Sequence, residues 1–194
     1  MNSVTLSAPS RLRHWLQLYK LYRSAFPPAE RKPFFIIWNM FRKGKMDVWY
    51  FSSAGRFAGL ATAIDDHGLV LIDYLAVAPD CRGKGVGTSA LSLLKDHYSG
   101  KNVFLEIESI YEDTPDLPQR IRRRNFYLRC GMKPMHVMIR LFGVKMELMG
   151  FDCQINYEQY YRFYMNNLGA WAAGHVSHEH HPEGESHETN ACDC

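Results

Sequence analysis

The sequence predicts an α/β protein in which helices and strands are layered around one sheet. Apolar runs of strand length occur at residues 48–52, 56–64 and 69–77, and the first two are joined through a hairpin-type turn, Ser53-Ala54-Gly55. Segments with helical periodicity precede and follow these runs. A glycine-rich loop at 83–87 stands between the third run and the next helical segment. Helices that alternate with strands in this way are typical of layered α/β domains.

The individual elements are predicted from periodicity and from capping and breaking residues. Ser10 is expected to cap the first helix, and Gly131 to end the fourth one in a left-handed conformation. The predicted helices span residues 11–25, 33–43, 88–98, 119–129 and 156–168. The predicted strands span residues 48–52, 56–64, 69–77, 103–108, 136–142 and 145–151.

The chain has 194 residues, enough for one domain with a substantial core. We place this domain at residues 1–174. Residues 175–194 are polar, rich in His, Glu, Gly and Ser, and lack apolar periodicity, so they are predicted to be a disordered tail.

The predicted tail also contains side chains that bind transition metals: His175, His178, His180, His181, His187, Cys192 and Cys194. Their spacing is not that of a structural zinc site. Metal binding by the tail is therefore a hypothesis, and we expect no metal to be required.

Composition excludes several classes of function. No apolar run approaches the roughly 18 residues of a membrane span, and the N-terminus lacks the apolar region of a secretory signal. The net charge of +3 and the absence of an aromatic and basic repeat argue against nucleic acid as a partner. Five cysteines do not form a disulfide framework. We expect a cytoplasmic protein with no nucleic-acid or membrane partner.

The glycine-rich loop has the chemistry of a pyrophosphate site. Alternating glycines let several backbone N–H groups converge on one anion, and the following helix would direct its positive end to the same place. Arg82 and Lys84 add positive charge. The loop fits neither the P-loop, because no Lys-Ser/Thr pair follows its last glycine, nor the Rossmann fingerprint, because it reads G-x-G-x-G.

Three motifs together resemble the GNAT superfamily of N-acetyltransferases. Arg82, Gly85 and Gly87 fill the pattern [Q/R]-x-x-G-x-[G/A], after a strand that ends in LAVAP. Tyr127-x-x-x-Gly131-Met132 resembles the end of a family helix that lies just before the next strand, and VFLEIES, residues 103–109, resembles the family's fifth strand. The resemblance covers roughly residues 48–149.

This resemblance implies a GNAT fold and acetyl-CoA as co-substrate. The expected sheet is mixed, mostly antiparallel and twisted, with six to seven strands, helices on both faces and a splay between the fourth and fifth strands. The residues implied to hold the pantetheine and thioester are Leu75, Ala76 and Val77. Those implied to hold the pyrophosphate are Arg82, Gly83, Lys84, Gly85, Val86, Gly87 and Thr88.

Tyr127 is the candidate general acid, because by resemblance it lies where a family tyrosine reaches the CoA sulfur. A phenol is protonated near pH 7 and can donate to a developing thiolate. The alternative is that Tyr127 packs with Phe126 and Leu128 on an amphipathic helix.

By resemblance Glu106 is the candidate base. Glu108, predicted to share its strand face, and Asp73 are competing candidates, and bulk water is a further possibility. All three acids have a structural alternative as partners of the arginines at 120–124. That basic group, in turn, is either a contact for the CoA 3′-phosphate or a solvated helix face. Arg120 departs from the family pattern, in which many members carry a pantetheine-binding asparagine.

The expected reaction transfers an acetyl group to a primary amine of a small molecule by direct attack in a ternary complex. Glu30, Asp73 and Glu108, the candidate substrate-binding residues, would together with Glu106 make the acceptor cleft anionic and suited to a cationic amine. The alternatives are a protein or peptide N-acetyltransferase and a non-catalytic acyl-CoA sensor. The tyrosine-rich segment 157–164 packs either within the chain or against a second subunit, so the protein is a monomer or a homodimer.

Overall fold

The computed structural model describes residues 3–180, which form two compact units, one up to Val103 and one from Phe104 onward. The architecture is the predicted α/β class. The strands are β1 (Val4–Ser7), β2 (Asp47–Ser53), β3 (Arg56–Asp66), β4 (Leu69–Val77), β5 (Asn102–Glu108), β6 (Lys133–Leu141), β7 (Val144–Gly150) and β8 (Val176–Glu179). The helices are α1 (Leu12–Ala25), α2 (Phe34–Arg42), α3 (Val86–His97), α4 (Leu117–Arg129) and α5 (Tyr157–Ala173).

The first unit contains an antiparallel sheet in the order β1-β2-β3-β4. Residues 58–64 of β3 are all buried. Because side chains alternate between the faces of a strand, an unbroken buried run means that both faces of β3 are covered. α1 packs on β3 and β4, and α3 packs on β1 and β4.

The second unit contains antiparallel strands in the order β5-β7-β6-β8, together with α4 and α5. Its core includes Phe104 of β5, which contacts the rings of Tyr160 and Phe163 on α5 at centroid distances of 6.2 and 5.6 Å. Asn156 caps α5 in a capping box with Gln159. The positive φ of Gly169, 85°, interrupts α5 near its end.

The strand count was predicted wrongly, since the described residues contain eight strands and not six or seven. One extra strand is β1, whose four residues pair with β2. A four-residue strand is too short for its alternation to stand out in the sequence, so only its pairing partner reveals it.

The predicted cap was also wrong: Arg11, not Ser10, is the N-cap residue of α1, and it makes no side-chain capping bond. The splay between the fourth and fifth strands stays a prediction.

The other extra strand, β8, corrects the predicted tail. Residues 176–179 pair with β6, where Val176 is buried and Arg140 Nε donates to Glu179 Oε1 at 2.8 Å. The backbone N–H of Phe142 also donates to the His175 carbonyl at 3.0 Å. A polar edge strand stabilised by partners elsewhere in the chain has no apolar pattern of its own. The predicted domain boundary at 174 is therefore too early, and residues 181–194 lie outside the described part of the chain.

Among residues 3–180, the structure contains no helix that is both long enough and apolar enough to span a membrane.

Candidate functional site

The glycine-rich loop joins the end of β4 to the start of α3. Gly83 and Gly85 have φ values of +72° and +77°, which glycine adopts without the steric cost that a Cβ brings. Gly85 is the N-cap residue of α3, and Val86, Gly87 and Thr88 form its first turn. The first N–H groups of a helix have no acceptor within the helix, so this turn can donate to an anion.

The two basic side chains at the loop are exposed, and both donate to backbone carbonyls that precede it. Arg82 Nε donates to the Val77 carbonyl at 3.1 Å, and Lys84 Nζ donates to the Asp80 carbonyl at 2.6 Å. These bonds tie the loop to the last residue of β4 and to the turn that follows it. The remaining N–H groups of the Arg82 guanidinium give the loop further donors for a phosphate.

β4 contains a bulge at Asp73. Thr62 of β3 pairs with Tyr74 and Ala63 pairs with Ile72, so Asp73 is the extra residue. From Tyr74 the pairing with β3 resumes through Leu75, Ala76 and Val77.

Asp73 is a buried carboxylate with one satisfied oxygen. Its side chain is 5% exposed, and Oδ1 accepts from Lys32 Nζ at 2.6 Å. Among the described residues, Oδ2 has no hydrogen-bond partner. A buried carboxylate oxygen without a donor is costly, so this atom is a natural contact for a donor group supplied by a ligand.

Aromatic residues and backbone bonds fix the segment that carries Lys32. Tyr22 Oη donates to the Lys32 carbonyl at 2.9 Å, and Tyr74 Oη accepts from the Lys32 N–H at 3.1 Å and donates to the Glu30 carbonyl at 2.9 Å. Burial raises the pKa of Tyr22 to about 12, and burial with the neighbouring Asp73 raises the pKa of Tyr74 still further. Both phenols therefore remain donors at neutral pH. The Glu30 side chain is exposed on the adjacent turn, Pro28–Glu30.

Tyr127 lies in the last turn of α4, and local backbone geometry sets its position. The helix ends in a Schellman motif, in which Met132 N–H donates to the Tyr127 carbonyl and Gly131 N–H donates to the Leu128 carbonyl, at 3.1 and 3.0 Å. Gly131 has the predicted left-handed conformation, with φ +87°. Tyr127 is buried, and burial raises its pKa to about 12, partly offset by the nearby Arg123. Its phenol is thus protonated at neutral pH.

Glu106 of β5 is bound by two tyrosines of α5. Tyr160 Oη and Tyr164 Oη each donate to Glu106 Oε1 at 2.8 Å. Both tyrosines are almost completely buried.

Glu108 is bound differently, by a cation of α4. Its Oε2 forms an ion pair with Arg123 Nη1. Glu106 and Glu108 thus have partners on different helices, α5 and α4. They pair with Leu148 and Met146 of β7 without a register shift, as expected for residues two apart on one strand face.

Three arginines of α4, Arg120, Arg123 and Arg124, have carboxylate partners within the second unit. Arg124 Nε and Nη2 donate to both oxygens of Glu147, at 2.8 and 3.1 Å, and Glu147 is 0% exposed. Arg120 pairs with Asp116 at 3.0 Å and Glu112 at 3.8 Å, and donates to the Ser109 carbonyl at 3.1 Å. These contacts favour a structural role for the basic cluster over binding of a 3′-phosphate.

Four residues at or beside these sites were missed from the sequence: Lys32, Glu147, Tyr160 and Tyr164. Tyr160 and Tyr164 carried a usable signal, because a spacing of four residues puts both on one helix face. Lys32 and Glu147 gave no such sequence signal, because the role of each is visible only from its ion pair with a residue distant in sequence. Within residues 3–180, no group of three or more His, Cys, Asp or Glu side chains is arranged to hold a metal ion.

The chain belongs to the acetyltransferase (GNAT) family, whose family model matches residues 15–132. A Bacillus subtilis (strain 168) protein provisionally named as the acetyltransferase YjbC is 38% identical over 64 residues, which are 33% of this chain and 31% of that protein. The chain thus aligns with about a third of the length of this relative.

Solved structures share the fold at low sequence identity. A GNAT-family acetyltransferase from Bacteroides thetaiotaomicron aligns with a TM-score of 0.67 and 20% identity, over 86% of this chain and 95% of its own. The Escherichia coli ribosomal-protein-S18-alanine N-acetyltransferase aligns with a TM-score of 0.56 and 16% identity, over 79% and 96%. An aminoglycoside 6′-N-acetyltransferase complexed with coenzyme A aligns with a TM-score of 0.60 and 16% identity, over 75% and 95%.

Proposed function

We propose that this protein transfers the acetyl group of acetyl-CoA to a primary amine of a small molecule, by direct attack in a ternary complex. The main support for the proposal is the geometry of the loop between β4 and α3. In a chain of the GNAT family, two glycines with positive φ, a helix N-terminus and two exposed cations suit a pyrophosphate.

Acetyl-CoA would be bound mainly by backbone groups. The proposed pyrophosphate contacts are the N–H groups of 83–88 with the side chains of Arg82 and Lys84. The proposed pantetheine contacts are the backbone groups of Leu75, Ala76 and Val77, since an extended strand offers N–H and C=O groups that pair with amides. No metal is part of the proposed reaction.

Proton transfers accompany the proposed reaction. An acceptor bound as an ammonium ion first gives one proton to the base. Its neutral amine nitrogen then bonds to the thioester carbonyl carbon, the carbon–sulfur bond breaks, the nitrogen loses its second proton and the thiolate gains one. We assign Tyr127 as the acid, because its buried phenol keeps its proton at neutral pH. We assign Glu106 as the base, because neutral phenols bind it, whereas Asp73 and Glu108 are each bound by a cation.

Asp73 is proposed to bind the acceptor as a cation. Its Oδ2 is buried without a donor among the described residues, and an ammonium group would supply one. Glu30 and Glu108 are proposed to add negative charge around the acceptor, although Arg123 already offsets that of Glu108.

The loop 109–116 supports a small acceptor over a peptide. Arg120 binds it at Ser109, Glu112 and Asp116, and Arg140 of β6 also reaches Glu112 at 3.8 Å. A loop fixed at several points is a poor match for a groove that must admit a long peptide. Among the structural relatives, both a protein-alanine and an aminoglycoside acetyltransferase occur, so the experiment must include both classes of acceptor.

The test is acetyl-CoA-dependent thiol release across amines, polyamines, aminoglycosides, amino acids and short peptides, with acetyl-CoA binding measured in parallel. We expect turnover with one class of small amine. The Glu106→Gln variant is expected to lose about 100-fold in kcat and to keep its affinity for acetyl-CoA. Turnover with peptides alone would show that the acceptor is a protein or peptide and not a small molecule. Tight binding without turnover on any amine would instead support a sensor.

A further inference from the structure

The hydrogen bonds at Glu106 give α5 a role beyond packing. Tyr160 and Tyr164 are 54 and 58 residues from Glu106 along the chain, yet both phenols donate to the same carboxylate oxygen at 2.8 Å. Their rings also lie against each other, with centroids 4.8 Å apart. The pair therefore forms one rigid donor site, which we call the tyrosine clamp.

The clamp lies outside the segment that defines the family. The family model matches residues 15–132, whereas Tyr160 and Tyr164 belong to α5, Tyr157–Ala173. Glu106 lies inside the matched segment. The clamp thus joins a part that this chain shares with its family to a part that the family model does not describe.

Tyr160 of the clamp retains its proton over the physiological range. Burial, with the adjacent carboxylate, raises the pKa of Tyr160 well above its usual value. Two O–H donors on one oxygen favour the charged form of a carboxyl group, because they bind an anion more strongly than a neutral acid.

Two other carboxylates on the strands at Glu106 are themselves paired with cations. Glu108, two residues further along β5, is bound by Arg123, and Glu147 on the neighbouring strand β7 is bound by Arg124. Tyr160 and Tyr164 face Glu106 from α5.

We propose that Tyr160 and Tyr164 are positioning residues, which hold the Glu106 carboxylate in one orientation and keep it ionised for its role as the base. The inference rests on the proposed function for that role. The clamp acts on Glu106 alone: it adds no group to the substrate and moves no proton itself.

The first test needs no acceptor. The full chain is labelled with ¹³C at the glutamate side-chain carboxyl carbons, the Glu106 signal is assigned with Glu106→Gln, and its titration midpoint is followed by NMR. Loss of one charge-assisted hydrogen bond is expected to raise the midpoint by about one pH unit in Tyr160→Phe and in Tyr164→Phe. The control, Tyr161→Phe, removes a hydroxyl from the same helix and should leave the midpoint unchanged. An unchanged midpoint in both clamp variants would overturn the proposal.

A second measurement tests the clamp even if the Tyr160→Phe and Tyr164→Phe variants fail to fold, because it does not need them. In the wild-type chain, two tyrosine hydroxyl protons should exchange slowly and should show a through-space contact to each other's rings. Replacement of Glu106 by Gln should accelerate the exchange of both. Rapid exchange of both hydroxyls in the wild type would also contradict the clamp.

The activity test then separates the clamp from the proposed reaction. Once an acceptor is known, the acidic limb of the pH profile of kcat/KM in the clamp variants should shift to higher pH by the same amount as the Glu106 midpoint. The KM for acetyl-CoA should stay constant. A shifted midpoint with an unmoved acidic limb would overturn the positioning role. Absence of turnover in the wild type would refute the proposed reaction, and the NMR midpoints would still decide whether the clamp exists.

Discussion

At the scale of single residues, the three carboxylates proposed to serve the reaction differ in what binds them. Lys32 binds Asp73, Arg123 binds Glu108, and two neutral phenols bind Glu106. A carboxylate bound by a cation is a weaker base than one bound by neutral donors, because the cation stabilises its anion more. This difference is the reason that we propose Glu106, and not Asp73 or Glu108, as the base.

Tyr127 gives the most specific prediction at this scale. Tyr127→Phe removes only the proposed acid, so kcat should fall about 100-fold while the dissociation constant of acetyl-CoA stays the same. Because burial raises the pKa of Tyr127 to about 12, ionisation of this phenol should not reduce the rate below about pH 11. Thiol release as a function of pH measures both effects. Tyr161→Phe is the matched control, and equal rates for the two variants would make Tyr127 a packing residue.

The Lys32–Asp73 pair gives a prediction about stability. Lys32→Met leaves a buried carboxylate without its cation and should lower the free energy of unfolding by about 3 kcal/mol. The double variant Lys32→Met/Asp73→Asn removes the charge as well and should recover a large part of that loss. Urea unfolding of the two single variants and the double one completes the cycle. If the double variant loses the sum of both single effects, the two side chains do not interact.

At the scale of elements, the end of α4 places Tyr127 through backbone geometry alone. Gly131 has a φ of +87°, and no heavy atom lies within 4 Å of the position that a Cβ would occupy. The cost of adding a side chain is therefore conformational and not steric.

Gly131→Ala should lower the free energy of unfolding by about 1 kcal/mol, because alanine tolerates the left-handed region poorly. Gly131→Asn should lose less, since asparagine enters that region more readily. Thermal unfolding of the two variants compares them directly. Equal losses would mean that side-chain volume, and not φ, decides the effect.

Local signals explain which elements could be predicted from the sequence. The loop before α3 and the stop at Gly131 depend on neighbouring residues, and the structure has both. The strand β8 was missed because its stability comes from pairing with β6, which is distant in sequence. Arg140 and Glu179, which join the two strands, are 39 residues apart in the chain. The clamp on Glu106 was missed for the same reason, although the spacing of its tyrosines was visible. Periodicity detects a buried face but does not identify the residue that the face contacts.

At the scale of the whole molecule, buried phenols link stability to alkaline pH. Burial raises the pKa of Tyr22 and Tyr127 from the usual 10 to about 12, and it also raises the pKa of Tyr74, Tyr98 and Tyr160. A raised pKa means that the folded chain holds the proton more tightly than the unfolded chain. The resulting stability is complete below pH 10 and is lost as the pH rises towards 12.

Each of the two phenols with a pKa near 12 should contribute on the order of 3 kcal/mol across this interval. We therefore expect the free energy of unfolding to be flat from pH 8 to 10 and to fall steeply above pH 10. Urea unfolding at successive pH values measures the fall, and the ultraviolet absorbance of tyrosinate shows whether ionisation accompanies it. Ionisation of all tyrosines near pH 10 in a chain that stays folded would contradict the burial of these phenols.

The loop between β4 and α3 is proposed to bind acetyl-CoA, and calorimetric titration of the wild type and of Gly87→Ala with acetyl-CoA measures this binding. Gly87 lies in the first turn of α3, so alanine suits its backbone and should leave stability unchanged or raise it by up to about 1 kcal/mol. The added methyl group would obstruct an anion on the N–H groups of that turn. We expect one acetyl-CoA per wild-type chain and about tenfold or greater weakening of binding in a Gly87→Ala variant that is no less stable. Equal binding by the two proteins, or no binding by the wild type, would contradict the proposed role of the loop.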